Sequence, residues 1–115
     1  MTVLLTGGAG YIGSHVAVEL LQSGYDVIIA DNFYNSSQEV PERIREITEK
    51  SVRTYNVDIQ NSAALEQIFK QHEINAVMHF AGYKAVGEAV QQPLKYYRGN
   101  LDSTLTLLET MGKYQ

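Results

Sequence analysis

The sequence predicts an α/β protein built on a doubly wound parallel sheet, with about four strands present in its 115 residues. Short apolar runs alternate with amphipathic stretches in the order β-α-β-α-β-α-β-α. A glycine-rich turn joins the first strand to the first helix, and an aspartate follows the second strand. This alternation is typical of a parallel sheet covered on both faces, and its crossovers are almost always right-handed.

Four short apolar segments are predicted strands, because each is too short for a helix and ends at turn-forming or polar residues. They cover residues 2–6, 26–30, 52–57 and 76–80, and polar alternation makes the third the weakest. Dinucleotide-binding sheets usually have about six strands in the order 3-2-1-4-5-6, in which the fourth strand is interior. Without its outer neighbour, this apolar strand would have an exposed edge. We therefore expect residues 1–115 to be the N-terminal part of a dinucleotide-binding domain in a longer protein.

Four amphipathic stretches are predicted helices. They cover residues 11–23, residues 37–49, a segment that begins at Asn61 or Ser62, and a long segment from near Pro93 to Met111. Gly24 suits the C-terminus of the first helix, and a proline suits the first turn of the last one. The periodicity of the last helix is carried by Leu101, Leu105 and Leu108.

The composition excludes several classes of function. A formal net charge of -4 gives no basic face for DNA or RNA. Without cysteine the chain has no disulfide framework, thiolate zinc site or cysteine nucleophile. Its apolar runs are far shorter than the roughly 18 residues of a membrane-spanning helix, and its first residues lack the basic start of a secretory signal. We expect a soluble, cytoplasmic protein with no nucleic-acid or membrane partner.

The glycine-rich turn is typical of a dinucleotide-binding loop. Its glycines fit GxGxxG when counted from Gly8 and GxxGxxG when counted from Gly7, and both patterns include Gly10 and Gly13. Glycines alone could simply form a turn, but this loop directly follows a strand and directly opens a helix. Glycine lets the backbone approach a pyrophosphate, whose charge is met by N–H groups at the helix N-terminus. The sequence therefore predicts a Rossmann-type nucleotide site.

Asp31 indicates which dinucleotide the loop binds. It follows the second strand at nearly the spacing of about 20 residues at which an acid binds the adenosine ribose hydroxyls. A carboxylate repels a 2′-phosphate, and neither Asn32 nor Phe33 supplies a neutralising cation. NAD is therefore predicted rather than NADP. The alternative is that Asp31 is a turn residue at the end of the strand.

Other residues of the predicted carboxyl edge have two possible roles. Asp58 follows the third strand and could face the same ligand, or it could be a helix-capping or turn aspartate. Lys84 follows the fourth strand and could reach phosphates, or it could be an ordinary exposed lysine. His79 lies in a predicted buried strand and is expected to be a hydrogen-bonded core residue.

The sequence predicts neither catalytic residues nor a metal site. The three histidines have no metal-ligand spacing. No tyrosine has a lysine four positions later, so the Tyr-x-x-x-Lys acid–base pair of short-chain dehydrogenases is absent from these residues.

Five segments together resemble a known family over essentially the whole chain. They are TGGAGYIGSH from Thr6, DNxxNSS from Asp31, Asp58-Ile59, HFAGYKAVGE from His79, and PLKYY from Pro93 with the following Asn100. This combination resembles the UDP-galactose 4-epimerases, which are extended short-chain dehydrogenase/reductases. The glycine loop is common to the superfamily, whereas KAVGE followed by PLKYY is more specific. The chain departs from the family pattern at Tyr83 and Gly99.

The resemblance implies a set of cofactor-binding residues. Backbone groups of the loop would bind the pyrophosphate, the second strand's end would hold the ribose, and later segments would contact adenine, phosphates and nicotinamide ribose. The residues so implied are Gly7, Gly10, Tyr11, Ile12, Gly13, Asp31, Asn32, Asn35, Ser36, Asp58, Ile59, Phe80, Ala81, Lys84 and Asn100.

The resemblance also implies an activity, the reversible oxidation of a UDP-hexose at C4 by tightly held NAD, through a 4-keto sugar. The chain would then be the NAD-binding portion of an isomerase of galactose metabolism, which acts as a homodimer. The acid–base pair and the sugar-binding domain would lie outside these residues. The alternatives are a UDP-glucuronate 4-epimerase, a sugar-nucleotide 4,6-dehydratase, or a non-catalytic nucleotide-binding module.

Overall fold

The structure, a computed structural model, describes residues 1–33, 39–81 and 90–114. The strands are β1 (Thr2–Thr6), β2 (Asp26–Asp31), β3 (Arg53–Asn56) and β4 (Ala76–His79). The helices are α1 (Tyr11–Gln22), α2 (Val40–Thr48), α3 (Ser62–Gln71) and α4 (Pro93–Lys113). Each predicted strand and helix is present, and the described ends differ by a few residues. Residues 37 and 38, where the second helix is predicted to begin, lie outside the described residues.

The four strands form one parallel sheet in the order β3-β2-β1-β4. The register places Thr6 at the end of β1 opposite Ala30 of β2 on one side and His79 of β4 on the other. Parallel strands put their carboxyl ends at one edge of the sheet, so the residues that follow β1, β2 and β4 meet there.

Local signals predicted from the sequence set the ends of two helices. The Asn61 side chain accepts a hydrogen bond from Ala64 N at 3.2 Å and caps α3. After α1 the chain turns at Gly24, whose φ of 92° lies in the left-handed region that favours glycine. The backbone N–H groups of Gly24 and Tyr25 then donate to carbonyls in the last turn of α1.

Two apolar clusters cover the two faces of the sheet. The cluster beneath α1 and α2 contains Val3, Leu5, Ala9, Ala17, Leu21, Val27, Ile29 and Ile44. The cluster beneath α3 and α4 contains Leu4, Ile28, Ala30, Ile59, Leu65, Ile68, Phe69 and Leu107. Helices on both faces of a parallel sheet confirm the predicted fold class, a doubly wound α/β sheet.

The expectation that β4 is a buried strand is wrong for these residues. Met78 is 38% exposed, and His79 is also exposed. The reason is that β4 pairs with β1 and has no other strand neighbour within residues 1–33, 39–81 and 90–114.

The buried face of α4 also differs from its leucine periodicity. Ser103, Leu107 and Thr110 are buried, whereas the leucines at 101, 105 and 108 are about half exposed or more. In the described part of the chain, no helix is both long and apolar enough to cross a membrane.

Candidate cofactor-binding site

The glycine loop lies where β1, β2 and β4 end. Gly7 N donates a hydrogen bond to Ala30 O at 2.8 Å, which ties the start of the loop to β2. Phe80 N donates to Thr6 O at 2.8 Å, which ties the residue after β4 to the end of β1. The fold thus brings the predicted residues Gly7, Asp31 and Phe80 to one edge of the sheet.

Two loop glycines are required by the chain's own packing. Gly7 has a φ of 71°, and a Cβ added there would lie 2.6 Å from Ala81 N. A Cβ on Gly13 would lie 2.4 Å from Gly7 O and 2.8 Å from Gly8 Cα. Side chains at Gly7 and Gly13 would therefore force the loop away from β4 and from the start of α1.

Gly10 differs from these two glycines. It precedes α1 with an ordinary φ of -73°, and its carbonyl accepts Ser14 N at 2.9 Å. A Cβ there would meet Gly7 O at 3.3 Å and no other described atom within 4 Å. Because few described atoms lie near Gly10, a ligand has space to approach its backbone.

The N-terminus of α1 has the features of an anion site. Its first N–H groups have no partner within the helix. No described side chain caps them, and the first turn carries no acid. Tyr11 is 82% exposed and Ile12 is also exposed. Their backbone N–H groups belong to this first turn of α1. A pyrophosphate fits this arrangement, because the N–H groups and the helix dipole both favour negative charge.

Asp31 is held against the glycine loop by backbone hydrogen bonds. Its Oδ2 accepts Ala9 N at 3.1 Å and its Oδ1 accepts Phe33 N at 2.7 Å. The residue is 9% exposed. An ionised carboxylate has about four lone-pair positions, so two hydrogen bonds leave acceptor capacity for ribose hydroxyls.

Phe33 completes this turn in an uncommon conformation. Its φ of 58° lies in the left-handed region, which costs a non-glycine residue roughly 1–2 kcal/mol. The hydrogen bond from its N–H to Asp31 stabilises the turn. The sequence analysis used Phe33 only as a residue without positive charge and had no signal for this conformation.

Asp58 and Ile59 lie beyond the end of β3 with different exposures. Asp58 is exposed, and its Oδ1 accepts Gln60 N at 2.9 Å, so it forms the turn that was one of its two predicted roles. Val57 N donates to Asp31 O at 3.1 Å, which holds this segment beside the predicted ribose site. The Ile59 side chain is buried among core residues, so its backbone is the part that could face a ligand.

Four of the remaining predicted residues are described, and they follow β2, follow β4 or lie in α4. Phe80 and Ala81 are half-buried, and Ala81 N donates to Thr6 Oγ1 at 3.5 Å. Asn100 is half-buried in α4, and Asn32 is exposed beyond β2. Asn35, Ser36 and Lys84 lie outside the described residues, as does Tyr83.

Sequence reasoning missed two side chains at this edge. Thr6 is fully buried, and its Oγ1 lies 2.5 Å from His79 Nδ1. Thr104 Oγ1 lies 3.3 Å from His79 Nε2. A threonine that ends an apolar strand directly before the glycines was an available signal for the first. Among the described residues, no group of three His, Asp or Glu side chains could hold a metal ion.

Comparisons with known proteins agree on one family. The family model described as GDP-mannose 4,6 dehydratase matches residues 4–115. A UDP-glucose 4-epimerase from Bacillus subtilis (strain 168) is 54% identical over 114 residues, which are 99% of this chain and 34% of the relative. The chain thus spans about a third of the length of the curated relatives it matches.

Solved structures give the same result. UDP-glucose 4-epimerase from Bifidobacterium longum, in complex with NAD+ and UDP, matches with a TM-score of 0.98 and 51% identity over 99% of this chain and 34% of that chain. The Stenotrophomonas maltophila UDP-glucose-4-epimerase, with bound NAD and formylated UDP-arabinopyranose, matches with a TM-score of 0.95 and 44% identity over 97% of this chain and 33% of that chain. The chain therefore belongs to the GDP-mannose 4,6 dehydratase family, and nearly its whole length is similar to one third of several UDP-glucose 4-epimerases.

Proposed function

We propose that this chain is the N-terminal, NAD-binding portion of a UDP-glucose 4-epimerase, which interconverts UDP-galactose and UDP-glucose. The observation that carries the proposal is that an uncapped helix N-terminus, a buried carboxylate and Gly10 lie at one sheet edge, where Gly7 O is the one described atom within 4 Å of a Cβ added at Gly10. The epimerase identity of the relatives named above supports the substrate class.

The glycine loop and Asp31 both have features that fit NAD. Backbone N–H groups of Tyr11 and Ile12 suit the pyrophosphate, and the open side of Gly10 lets it approach. Asp31 has acceptor capacity for the ribose hydroxyls and would repel the 2′-phosphate of NADP. Asn32, Asp58, the Ile59 backbone, Phe80, Ala81 and Asn100 belong to the same proposed site, together with Asn35, Ser36 and Lys84.

The proposed reaction is a redox cycle at the sugar. The loop from Gly7 to Gly13 together with Asp31 would hold NAD, which would supply reversible hydride acceptance at C4 of the sugar. An acid–base group would take and return the O4 proton, and the transient 4-keto sugar would be reduced again from its opposite face. This chain holds the cofactor and excludes NADP. It has no Tyr-x-x-x-Lys pair, so the acid–base groups belong to another part of the enzyme. The proposal includes a UDP-hexose substrate, a homodimeric whole enzyme and a cytoplasmic location.

The test is the activity of the complete reading frame that contains this chain. Purified protein with NAD and UDP-galactose should form UDP-glucose. A coupled dehydrogenase assay measures the UDP-glucose that is formed. The 115-residue chain alone should show no turnover, because a positioned acid–base pair supplies a factor of about 10² to 10⁴ and is absent. Sustained turnover by the isolated chain would contradict this division of roles.

A 4,6-dehydratase is the second candidate, because the matching family model carries that description. A dehydratase would release water and a 4-keto-6-deoxy sugar nucleotide, which mass spectrometry detects. Incubation with GDP-mannose and with UDP-glucose separates the candidates. A dehydrated product without epimerised UDP-hexose would replace the epimerase proposal. NAD binding without either product would indicate a non-catalytic nucleotide-binding module.

A further inference from the structure

A line of hydrogen bonds crosses from β1 through β4 to α4 beside the cofactor site. Thr6 Oγ1 lies 2.5 Å from His79 Nδ1, and His79 Nε2 lies 3.3 Å from Thr104 Oγ1. Thr104 Oγ1 also donates to Asn100 O at 2.9 Å. These contacts connect a fully buried hydroxyl of the sheet to one turn of α4.

One arrangement of protons gives each donor of this line an acceptor. When the Thr104 hydroxyl gives its one proton to the Asn100 carbonyl, its oxygen accepts from His79 Nε2–H. A neutral imidazole with its proton on Nε2 has an acceptor at Nδ1, which takes the Thr6 hydroxyl proton. A Thr6 lone pair then accepts Ala81 N–H at 3.5 Å. Each of these donors has an acceptor, which favours the Nε2–H tautomer.

The geometry relates this line to the carboxyl edge. The helix after a parallel strand runs antiparallel to the sheet, so the N-terminal half of α4 faces the carboxyl edge. Thr104 contacts His79 at the end of β4, and Asn100 lies four residues, or about 6 Å, further toward that edge. The position of Asn100 therefore depends on how Thr104 is held.

Two side chains of this turn donate hydrogen bonds to backbone carbonyls of the same helix. Ser103 Oγ donates to Gly99 O at 2.5 Å, and Thr104 donates to Asn100 O. Side-chain hydrogen bonds of this kind to the carbonyl four residues earlier often bend helices. Gly99 adds backbone freedom in the same turn. The contact between Thr104 and His79 holds this turn against the sheet.

We propose that His79 is a positioning residue that fixes the Asn100 turn of α4 at the cofactor edge, by accepting from the Thr6 hydroxyl and donating to the Thr104 hydroxyl. This inference rests on the proposed function for its ligand, NAD. It assigns His79 no contact with the cofactor and no part in the chemistry.

The first readout is the tautomer of His79. The 15N-labelled chain is studied at about pH 8, at which ordinary imidazole groups are neutral. Long-range 15N correlations distinguish a protonated ring nitrogen from an acceptor nitrogen. We expect the proton on Nε2. A proton on Nδ1 would overturn the inference, whether or not the chain binds NAD.

The second readout is NAD affinity in matched α4 variants. Thr104→Val removes the hydroxyl at nearly constant shape and should weaken NAD binding about 2- to 10-fold, the range for one neutral hydrogen bond. Thr104→Ser keeps the hydroxyl and should restore affinity. Thr110→Val is the control, because Thr110 is buried in the same helix and makes a similar hydrogen bond to Thr106 O, about 9 Å along the helix from Thr104.

The outcomes separate this inference from the proposed function. Unchanged NAD affinity in Thr104→Val would overturn the inference and leave the proposed function intact. Equal loss in Thr104→Val and Thr110→Val would also overturn it, because the effect would then be general destabilisation of α4. Failure of every variant and of the original chain to bind NAD would reject the proposed function. In that case the His79 tautomer, and faster amide exchange at the Asn100 turn in Thr104→Val, would still decide the inference.

Discussion

β1 and β4 are neighbouring strands of similar polarity, yet they have very different environments. Leu5 of β1 pairs with Met78 of β4, but Leu5 is 0% exposed and Met78 is 38% exposed. β1 lies between β2 and β4, whereas β4 pairs with β1 alone among the described strands. Burial in this sheet is therefore decided by what packs against a strand, and not by the strand's own composition.

The helices show the same contrast. Ala17 and Leu21 of α1 are buried beneath a regular apolar face, whereas α4 turns Ser103 and Leu107 inward. α1 contacts both β1 and β2, and α4 packs mainly on α3. The β1–α1–β2 unit is thus a compact platform, and the β4–α4 unit is a more exposed region attached to it.

The largest expected effect is the loss of unfolding free energy when a core residue of the β1–α1–β2 platform is replaced. Leu5→Ala should cost about 2–5 kcal/mol of unfolding free energy, because it leaves a cavity in a fully packed cluster. Met78→Ala, at the paired position of β4, should stay near the roughly 0.5 kcal/mol of a surface change. Urea denaturation measures both values. Equal costs would show that β4 is as well packed as β1.

Next in size is a comparison within the glycine loop. Gly13→Ala should lower stability by about 1–3 kcal/mol or more, because its Cβ would overlap the backbone of Gly7 and Gly8. Gly10→Ala should leave thermal stability nearly unchanged. Thermal unfolding without NAD is the measurement. A destabilised Gly10→Ala would mean that Gly10 serves the fold rather than a ligand.

The next prediction concerns the free energy of NAD binding, on which we expect Asp31 to have a smaller effect than the two preceding changes have on stability. Asp31→Ala should weaken NAD binding at least about tenfold, since hydrogen bonds to charged groups contribute about 1.5–3 kcal/mol each. Asp31→Gly combined with Asn32→Arg should shift preference toward NADP. Asp26→Ala, at the opposite end of β2 and exposed, is the matched control. Calorimetry that finds equal NAD affinity in Asp31→Ala and Asp26→Ala would remove Asp31 from the ribose site.

The smallest effect should come from the ion pair between α3 and α4. Lys113 Nζ lies 2.8 Å from Glu66 Oε1, and this hydrogen bond and charge lower the pKa of Glu66 and raise the pKa of Lys113. The pair therefore stabilises the fold between the ordinary values of 4.5 and 10.5. Its contribution is lost as pH falls through the lowered pKa of Glu66 or rises through the raised pKa of Lys113.

Glu66→Gln should accordingly reduce the unfolding midpoint slightly at neutral pH and by less in acid. Added salt should shrink the difference, because the pair is near the surface. Thermal melts across pH and salt measure it. A difference that grows in acid would mean that another interaction of Glu66 is responsible.

The sequence predicted the elements well because their signals are local. Asn61 before α3 and Gly24 after α1 determine helix ends by hydrogen bonding and backbone conformation within a few residues. The glycine loop and Asp31 could be placed together because strand order follows from the alternation of elements. Burial of β4 and the inward face of α4 depend on contacts between residues that are far apart in the sequence. The spacing of apolar residues along the chain does not reveal such contacts.

Parts of the site were also beyond sequence reasoning. The left-handed Phe33 and the contact of Asp31 with Ala9 N arise from how two loops meet in space. Thr6 and His79 lie 73 positions apart, and only the register of β1 with β4 brings them together. Apolar patterning does not identify polar partners across a sheet.

The most direct test of the account is an NMR titration of the 15N-labelled chain and of Gly10→Val with NAD. The amide signals of Tyr11 and Ile12 should shift on addition of NAD, and less on addition of NADP, because these N–H groups lie at the open N-terminus of α1. Gly10→Val should keep the helical circular dichroism and lose these shifts, since its side chain fills the space for the pyrophosphate. Shifts of equal size in Gly10→Val would contradict the central claim, because the loop would then be a structural turn and the cofactor would bind elsewhere.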